Sequence, residues 1–240
     1  SSSDLAVKTT TIRNNRFRCD RGWDIDLDDG SSNYHIYNNL CLNGGIKLRE
    51  GFYRVVENNI MVNNSFHPHV WFLNSGDVFT RNIVMTDYQP IQIRNWGLMV
   101  DYNIFATETA LGNARKNQTD LHSRACALPF RNPQAGDFSF PDDAEVIVEA
   151  GFHNFPMDEF GVVSPRLKKI ARQPEMPQIR NVDTGDTAVT RQWQGVVLKD
   201  LTTLGERSAT GMDSERGVYV LSVSPLEGLH THLRTNDVLL

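Results

Sequence analysis

One short motif returns five times between Thr9 and Phe105, as TIRNNRF, HIYNNLC, VVENNIM, TRNIVM and DYNIF. Aligned on the shared asparagine, the copies place Asn15, Asn39, Asn59, Asn82 and Asn103 at intervals of 24, 20, 23 and 21 residues. A unit that short cannot bury a core alone and must stack on its neighbours, so the pattern calls for a solenoid. No leucine-rich consensus and no paired-helix pattern fits it. An asparagine at one fixed turn of every coil predicts a ladder, each side-chain amide bonding the next and satisfying buried polar groups along the axis.

A second motif keeps the same register, as DIDLDDG, GIKLREG, HVWFLNSG and IQIRNWG. Ile25 and Leu27 recur as Ile46 and Leu48. With a side-chain period of two, these four share one buried face, and Asp24, Asp26, Asp28, Lys47 and Arg49 share the other. Asp29 and Glu50 fall at the bend that follows. Carboxylates on adjacent rungs would lie ~5 Å apart, the spacing of hydrogen-bonded strands. That is also the separation a retaining glycosidase needs between its two carboxyl groups. The same residues also read as a ladder of cross-rung ion pairs on a solvated face. A third option is calcium, because a DxDxDDG run offers hard oxygen ligands; it lacks the bidentate glutamate of an EF-hand loop.

Alternation past Val70 and Phe72 predicts that His69 and Trp71 point outward, beside Lys47 and Asp26, where a tryptophan would make a platform for a pyranose ring. His67 is read as structural, and no third ligand at sensible spacing supports zinc at His67 and His69. Arg49 and Arg94 are expected on the outward face two coils apart, placed to grip a uronic acid or to neutralise Asp28.

The 240 residues carry 24 Lys plus Arg against 29 Asp plus Glu, a formal charge of −5. With no basic stripe there is no electrostatic case for nucleic acid or an anionic membrane surface. No apolar run approaches the ~20 residues that span a bilayer. No signal peptide precedes Ser1, so the chain reads as cytoplasmic or as a mature or truncated product. Cys19, Cys41 and Cys126 are too few and scattered for a disulfide framework and read as packed free thiols.

The repeat stops near residue 106. Thr107 to Lys116 reads as a helix, and SPRLKKIAR as another with Ser164 as its N-cap and Pro165 in the first turn. The aromatic, Gly- and Pro-rich segments between them are expected to cover the open end of the solenoid. The expected organisation is a β-helix over 1–172, a linker over 173–191 and a separate module over 192–240.

The coil motifs resemble the right-handed parallel β-helix of the pectate-lyase-like superfamily. Within it, DIDLDDGSSNYHIYNN, GIKLREGF and NNSFHPHVWF look most like bacterial β-helical glycoside hydrolases of the β-xylosidase type, glycoside hydrolase family 120 and its relatives. The resemblance covers about residues 9–172. It implies a mainly β fold and retaining hydrolysis of a plant-type, xylosidic oligosaccharide without a cofactor, in a secreted or periplasmic setting with a cytoplasmic one as the alternative. It also implies Glu50 as acid/base and an aspartate of DIDLDD as nucleophile, Asp28 foremost, then Asp26 and Asp29. His69, Trp71, Lys47, Arg49 and Arg94 are the expected sugar contacts. The superfamily also contains polysaccharide lyases that use an Arg or Lys base on uronate-containing glycans. A non-catalytic carbohydrate-binding scaffold is the reading from a different class.

The tail, GVYVLSVSPLEGLHTHLRTNDVLL, resembles part of a PDZ domain of the bacterial protease-associated type. That resemblance implies a peptide C-terminus as partner, with Ser208–Met212 as the carboxylate-binding loop.

Overall fold

A computed structural model describes residues 8–141, 144–172, 175–180, 190–193, 195–200, 217–224, 233–234 and 237–239. The chain divides into two compact units, Ser1–Val182 and Asp183–Leu240.

The first unit is a parallel β-solenoid of about six turns, built from three sheets. One sheet stacks Thr10–Arg13, Tyr34–Tyr37, Arg54–Glu57, Val78–Thr80 and Met99–Asp101. The second stacks Arg16–Phe17, Leu40–Cys41, Ile60–Met61, Ile83–Val84, Ile104–Phe105 and Arg124–Ala125. The third has three strands, Ile25–Leu27, Ile46–Leu48 and Phe66–Pro68. Every pairing within these sheets is parallel.

The corner between the first two sheets explains the asparagine repeat. The residue before each ladder asparagine (Asn14, Asn38, Asn58, Arg81, Tyr102) has φ between 54° and 59°, a left-handed turn in which asparagine is at ease. The following Asn Oδ1 then accepts from the side chain and the backbone of the preceding coil. Nδ2 of Asn15, Asn39, Asn59 and Asn82 donates to the next Oδ1 at 3.0, 3.0, 3.0 and 3.2 Å. The backbone N–H groups of the same four residues donate to the same oxygens at 3.2, 3.0, 3.0 and 2.9 Å. Asp120 ends the column by accepting from Asn103 at 3.0 Å. The five asparagines stand in one column, as the spacing predicts.

Inside the coils lie Ile36, Cys41, Ile46, Leu48, Val56, Met61, Phe66, Phe79, Val84 and Phe105, with Phe66 and Phe79 stacked at 3.9 Å. The helix Glu108–Arg115 closes this interior with Ala110, Leu111 and Ala114; its N-cap Thr107 accepts from the Ala110 N–H. Where the aromatic segment goes differs from expectation. Phe138, Phe140, Phe152 and Phe155 do not plug the end; they pack on the outward residues of the second sheet, Leu40, Leu42, Ile60, Val62, Ile83 and Ile104. Both faces of that sheet are apolar and both need cover. Pro165–Lys168 is a single helical turn, and Ser164 makes no side-chain capping bond. Residues 175–180, expected as linker, are tied to the coils: Arg18 donates to the Glu175 carbonyl, Asn63 to the Gln178 carbonyl, and the Arg180 N–H to Asn63.

The second motif ends one coil earlier than its sequence suggests. Ile46 and Leu48 pair with Phe66 and Pro68, not with a strand inside HVWFLNSG. IQIRNWG contributes only a bridge from Ile91 to His69.

In the second unit, Thr190–Trp193, Val196–Asp200, Val218–Val223 and Val238–Leu239 form an antiparallel sheet in that order. Ser208–Met212 and PLEGLHTHL lie outside the described residues, apart from Leu233. Among the described residues no helix is long and apolar enough to cross a membrane.

Candidate functional site

The outward face of the three-stranded sheet gathers the residues that the second motif singles out. Register places Asp26, Lys47 and His67 side by side. The pairing continues past the strands, since the Arg49 N–H donates to Leu27 O and the His69 N–H to Leu48 O. Asp28, Arg49 and His69 therefore form the next row.

Lys47 Nζ lies 2.8 Å from Asp26 Oδ1, 3.2 Å from Asp28 Oδ1 and 4.1 Å from the ring centroid of Trp23. Its side chain is 4% exposed, an ammonium held by two carboxylates beneath an indole. Arg49 Nε lies 2.8 Å from Asp29 Oδ1, 3.4 Å from Glu50 Oε2 and 4.0 Å from Asp28 Oδ1. The Nε–H aligns with none of them, so these contacts are ionic rather than directed hydrogen bonds.

Glu50 is the least exposed of these acids, its side chain at 26% against 42% for Asp26, 60% for Asp28 and 70% for Asp29. Loss of water and then the hydrogen bond to Asp29 raise its pKa above the ordinary glutamate value, against the pull of the Arg49 charge. The bend that carries it is fixed from behind. A Cβ on Gly51 would come within 2.2 Å of the Ser31 carbonyl. Arg54, fully buried, grips Asp77 with Nε at 2.9 Å and Nη2 at 2.6 Å, and its Nη1 donates to the Arg49 carbonyl.

Trp23 was not singled out by the sequence motifs, although it directly precedes the acidic run. Its placement comes from Asp24, which is turned away from the outward row expected for it. Asp24 accepts backbone N–H bonds from Cys19 (2.7 Å), Asn43 (3.1 Å), Gly44 (2.8 Å) and Gly45 (3.1 Å). This locks the loop before the first strand onto the next coil. Gly44 is needed there, since a Cβ would sit 2.2 Å from the Asp24 nitrogen.

His67 and His69 are both 2% exposed. Burial first, then the neighbouring positive groups, depress their pKa values to about 3 and about 4, so both rings are neutral at ordinary pH. His67, read from sequence as structural, is buried on the third strand of this sheet, beside Lys47.

One expected contact is misplaced. Trp71 is 5% exposed and points into the core: its Nε1–H donates to the Leu48 carbonyl at 2.9 Å and its ring meets Phe66 edge-on. The cause is Val70, whose φ of 53° breaks the strand alternation on which the outward placement rested. Arg94 is exposed in the fourth coil, outside any strand, and makes no ion pair among the described residues. The remaining expected residues, Asp26, Asp28, Asp29, Lys47, Arg49, Glu50 and His69, do come together.

These acids do not fit a calcium site, because Lys47 or Arg49 already occupies each carboxylate. Among the described residues no three His, Cys, Asp or Glu side chains are grouped to hold a metal ion. Open cavities of about 400 and 540 Å³ lie elsewhere, the first beside Glu108, Arg115 and Glu149, the second beside Tyr37, Glu57, Arg81 and His153. Neither is lined by a buried polar side-chain atom that lacks a partner among the described residues. The outward face has several.

No protein-family model, no curated protein and no solved structure matches this chain.

Proposed function

We propose that this face is the active site of a retaining glycoside hydrolase acting on a plant-type, xylosidic oligosaccharide. The observation that carries the reading is the carboxyl cluster on adjacent rungs around Arg49: Asp28, Asp29 and Glu50, with Glu50 the least exposed and its pKa raised. Environments that make one carboxyl of a cluster hold its proton are how acid and base roles are divided. Glu50 gives its proton to the leaving oxygen while Asp28 attacks the anomeric carbon, breaking the glycosidic bond and forming a glycosyl ester. Water then attacks that carbon, Glu50 takes the water's proton, and the sugar leaves with Asp28 restored. Asp28 suits the nucleophile better than Asp29. Asp29 is held by Arg49 at 2.8 Å on the same side as Glu50 and raises the Glu50 pKa, whereas Asp28 meets Arg49 only at 4.0 Å.

The test compares leaving groups. Glu50→Gln is expected to slow cleavage of xylobiose at least 100-fold and of an activated aryl xyloside far less, since that leaving group needs little protonation. Asp28→Ala is expected to lose both reactions, with azide restoring turnover as an inverted glycosyl azide. Equal rates for Glu50→Gln and the unmutated chain on both substrates would overturn the assignment.

A second reading has its own support. Asp28 and Asp29 are more than half exposed and paired with Lys47 and Arg49, an arrangement suited to glycan binding without cleavage. Saturable binding of xylobiose with no turnover would select it. The C-terminal unit is proposed as a PDZ-like module that takes a peptide C-terminus by strand addition. The support is its antiparallel sheet, and the expected result is binding of free-carboxylate but not amidated peptides.

A further inference from the structure

Three rings meet on this face at equal distances. The centroids of Trp23, His67 and His69 are each 5.9 Å from the other two, with interplanar angles of 77°, 82° and 74°. Each ring carries a buried nitrogen without a hydrogen-bond partner among the described residues: Trp23 Nε1, His67 Nδ1 and His69 Nε2. Buried polar atoms are nearly always paired, so three unpaired ones in a single cluster call for an explanation. The same rings make no pocket wall for the hydrophobic core, which lies on the other side of the sheet.

The chemistry of these nitrogens can be read from their neighbours. Asn64 Oδ1 accepts the Ser65 backbone N–H at 2.8 Å, which fixes the orientation of that amide. The same oxygen lies 2.7 Å from His67 Nε2, so Nε2 must carry the hydrogen. In a neutral ring Nδ1 is then a lone pair that can only accept. Trp23 Nε1–H can only donate. A donor and an acceptor side by side match a hydroxyl group, which gives one hydrogen and accepts another. A carboxylate or phosphate has no hydrogen to offer His67 Nδ1. The charge of this face also disfavours one, because the carboxylates of Asp26, Asp28, Asp29 and Glu50 outnumber Lys47 and Arg49, the two cations they surround.

We infer that Trp23, His67 and His69 form a recognition subsite for vicinal hydroxyls of an uncharged sugar ring, and that this subsite rejects uronates. The inference rests on the proposal that this face takes a glycan, but not on cleavage.

Binding to the full chain carrying Glu50→Gln, with turnover suppressed, tests it. Xylobiose is expected to shift the Trp23 indole N–H resonance, identified by its loss in Trp23→Phe, while digalacturonate at the same concentration leaves it in place. Trp23→Phe and His67→Phe are expected to weaken xylobiose at least tenfold, and His67→Gln, which keeps an acceptor, to recover part of that loss. The indole shift needs no change at the buried histidine, so a His67 variant that does not fold leaves the test intact. Digalacturonate binding as tightly as xylobiose, or a Trp23 resonance that neither sugar moves, overturns the subsite. Xylobiose binding through Trp23 without hydrolysis by the unmutated chain keeps the subsite and removes the hydrolase. Hydrolysis unaffected by Trp23→Phe and His67→Phe does the reverse.

Discussion

At the scale of single residues, the ladder asparagines do work that no apolar residue can take over. Asn59 Oδ1 receives both the backbone and the side-chain N–H of Asn39, while its own Nδ2 reaches Asn82 and the carbonyls of Ile36 and Glu57. Asn59→Ala removes one side chain and strands several buried groups above and below it. The expected cost is above ~2 kcal/mol, since each orphaned buried group costs ~1–3 kcal/mol. Asn15 stands half-buried at the end of the column and gives hydrogen bonds to Asn39 and the Arg13 carbonyl. Asn15→Ala is therefore expected to cost well under half as much. Urea unfolding of the two variants side by side measures the difference, and equal losses would mean that the column is not a cooperative support.

Histidine protonation belongs to the same scale. His67 and His69 are held neutral in the fold, at about 3 and about 4, against ~6.5 in an unfolded chain. The native state thus binds fewer protons than the unfolded state below pH ~6.5, and stability falls with falling pH from there toward pH ~3. Above pH ~6.5 both states carry neutral rings and the effect vanishes. Each ring contributes a slope of up to ~1.4 kcal/mol per pH unit. Subtracting urea-unfolding data for His67→Gln from those of the unmutated chain isolates the His67 share. A difference that stays flat between pH 7 and pH 4.5 would contradict it.

At the scale of elements, the bend Arg49–Glu50–Gly51 is held by a strand one coil on. Arg54 and Asp77 are fully buried and bidentate, and the Asp77 carboxylate also accepts the Arg54 backbone N–H at 3.0 Å. Because Arg54 also reaches the Arg49 carbonyl, the pair fixes where Glu50 points. Removing one partner of a buried ion pair typically costs ~3–5 kcal/mol, so Asp77→Ala is expected to lower stability by that amount. Thermal unfolding reads the loss directly. Replacing both residues with apolar ones of similar size is expected to recover part of the stability but not the placement of Glu50. Weakened xylobiose binding in a stable double variant would separate the two roles.

At the scale of the molecule, a boundary between two compact units falls at Val182/Asp183, and residues 175–180 are fastened to the coils by Arg18 and Asn63. Limited proteolysis is expected to cut between about residues 181 and 190 before it cuts the coils. First cleavage within 20–100, with 181–190 protected, would place the weak point elsewhere.

The repeat itself determined the solenoid. Asparagine at one position per coil is needed only where amides stack along an axis, and that requirement is local enough to be written into the spacing. The strand pairs Ile25/Leu27 and Ile46/Leu48 were legible for a similar reason, since period-two alternation assigns faces without any knowledge of partners. So were Asp26, Asp28, Lys47 and Arg49 on one face. The tertiary structure decided the rest. A single left-handed residue, Val70, reverses the alternation and sends Trp71 into the core, and nothing in the composition of HPHVWF marks that turn. Trp23 reaches the site only because Asp24 gathers four backbone N–H groups, three of them from the neighbouring coil. The aromatics of 138–155 cover a sheet face rather than the solenoid's end because both sides of that sheet are apolar. In each case the deciding contact joins residues far apart in sequence, through packing that periodicity cannot express.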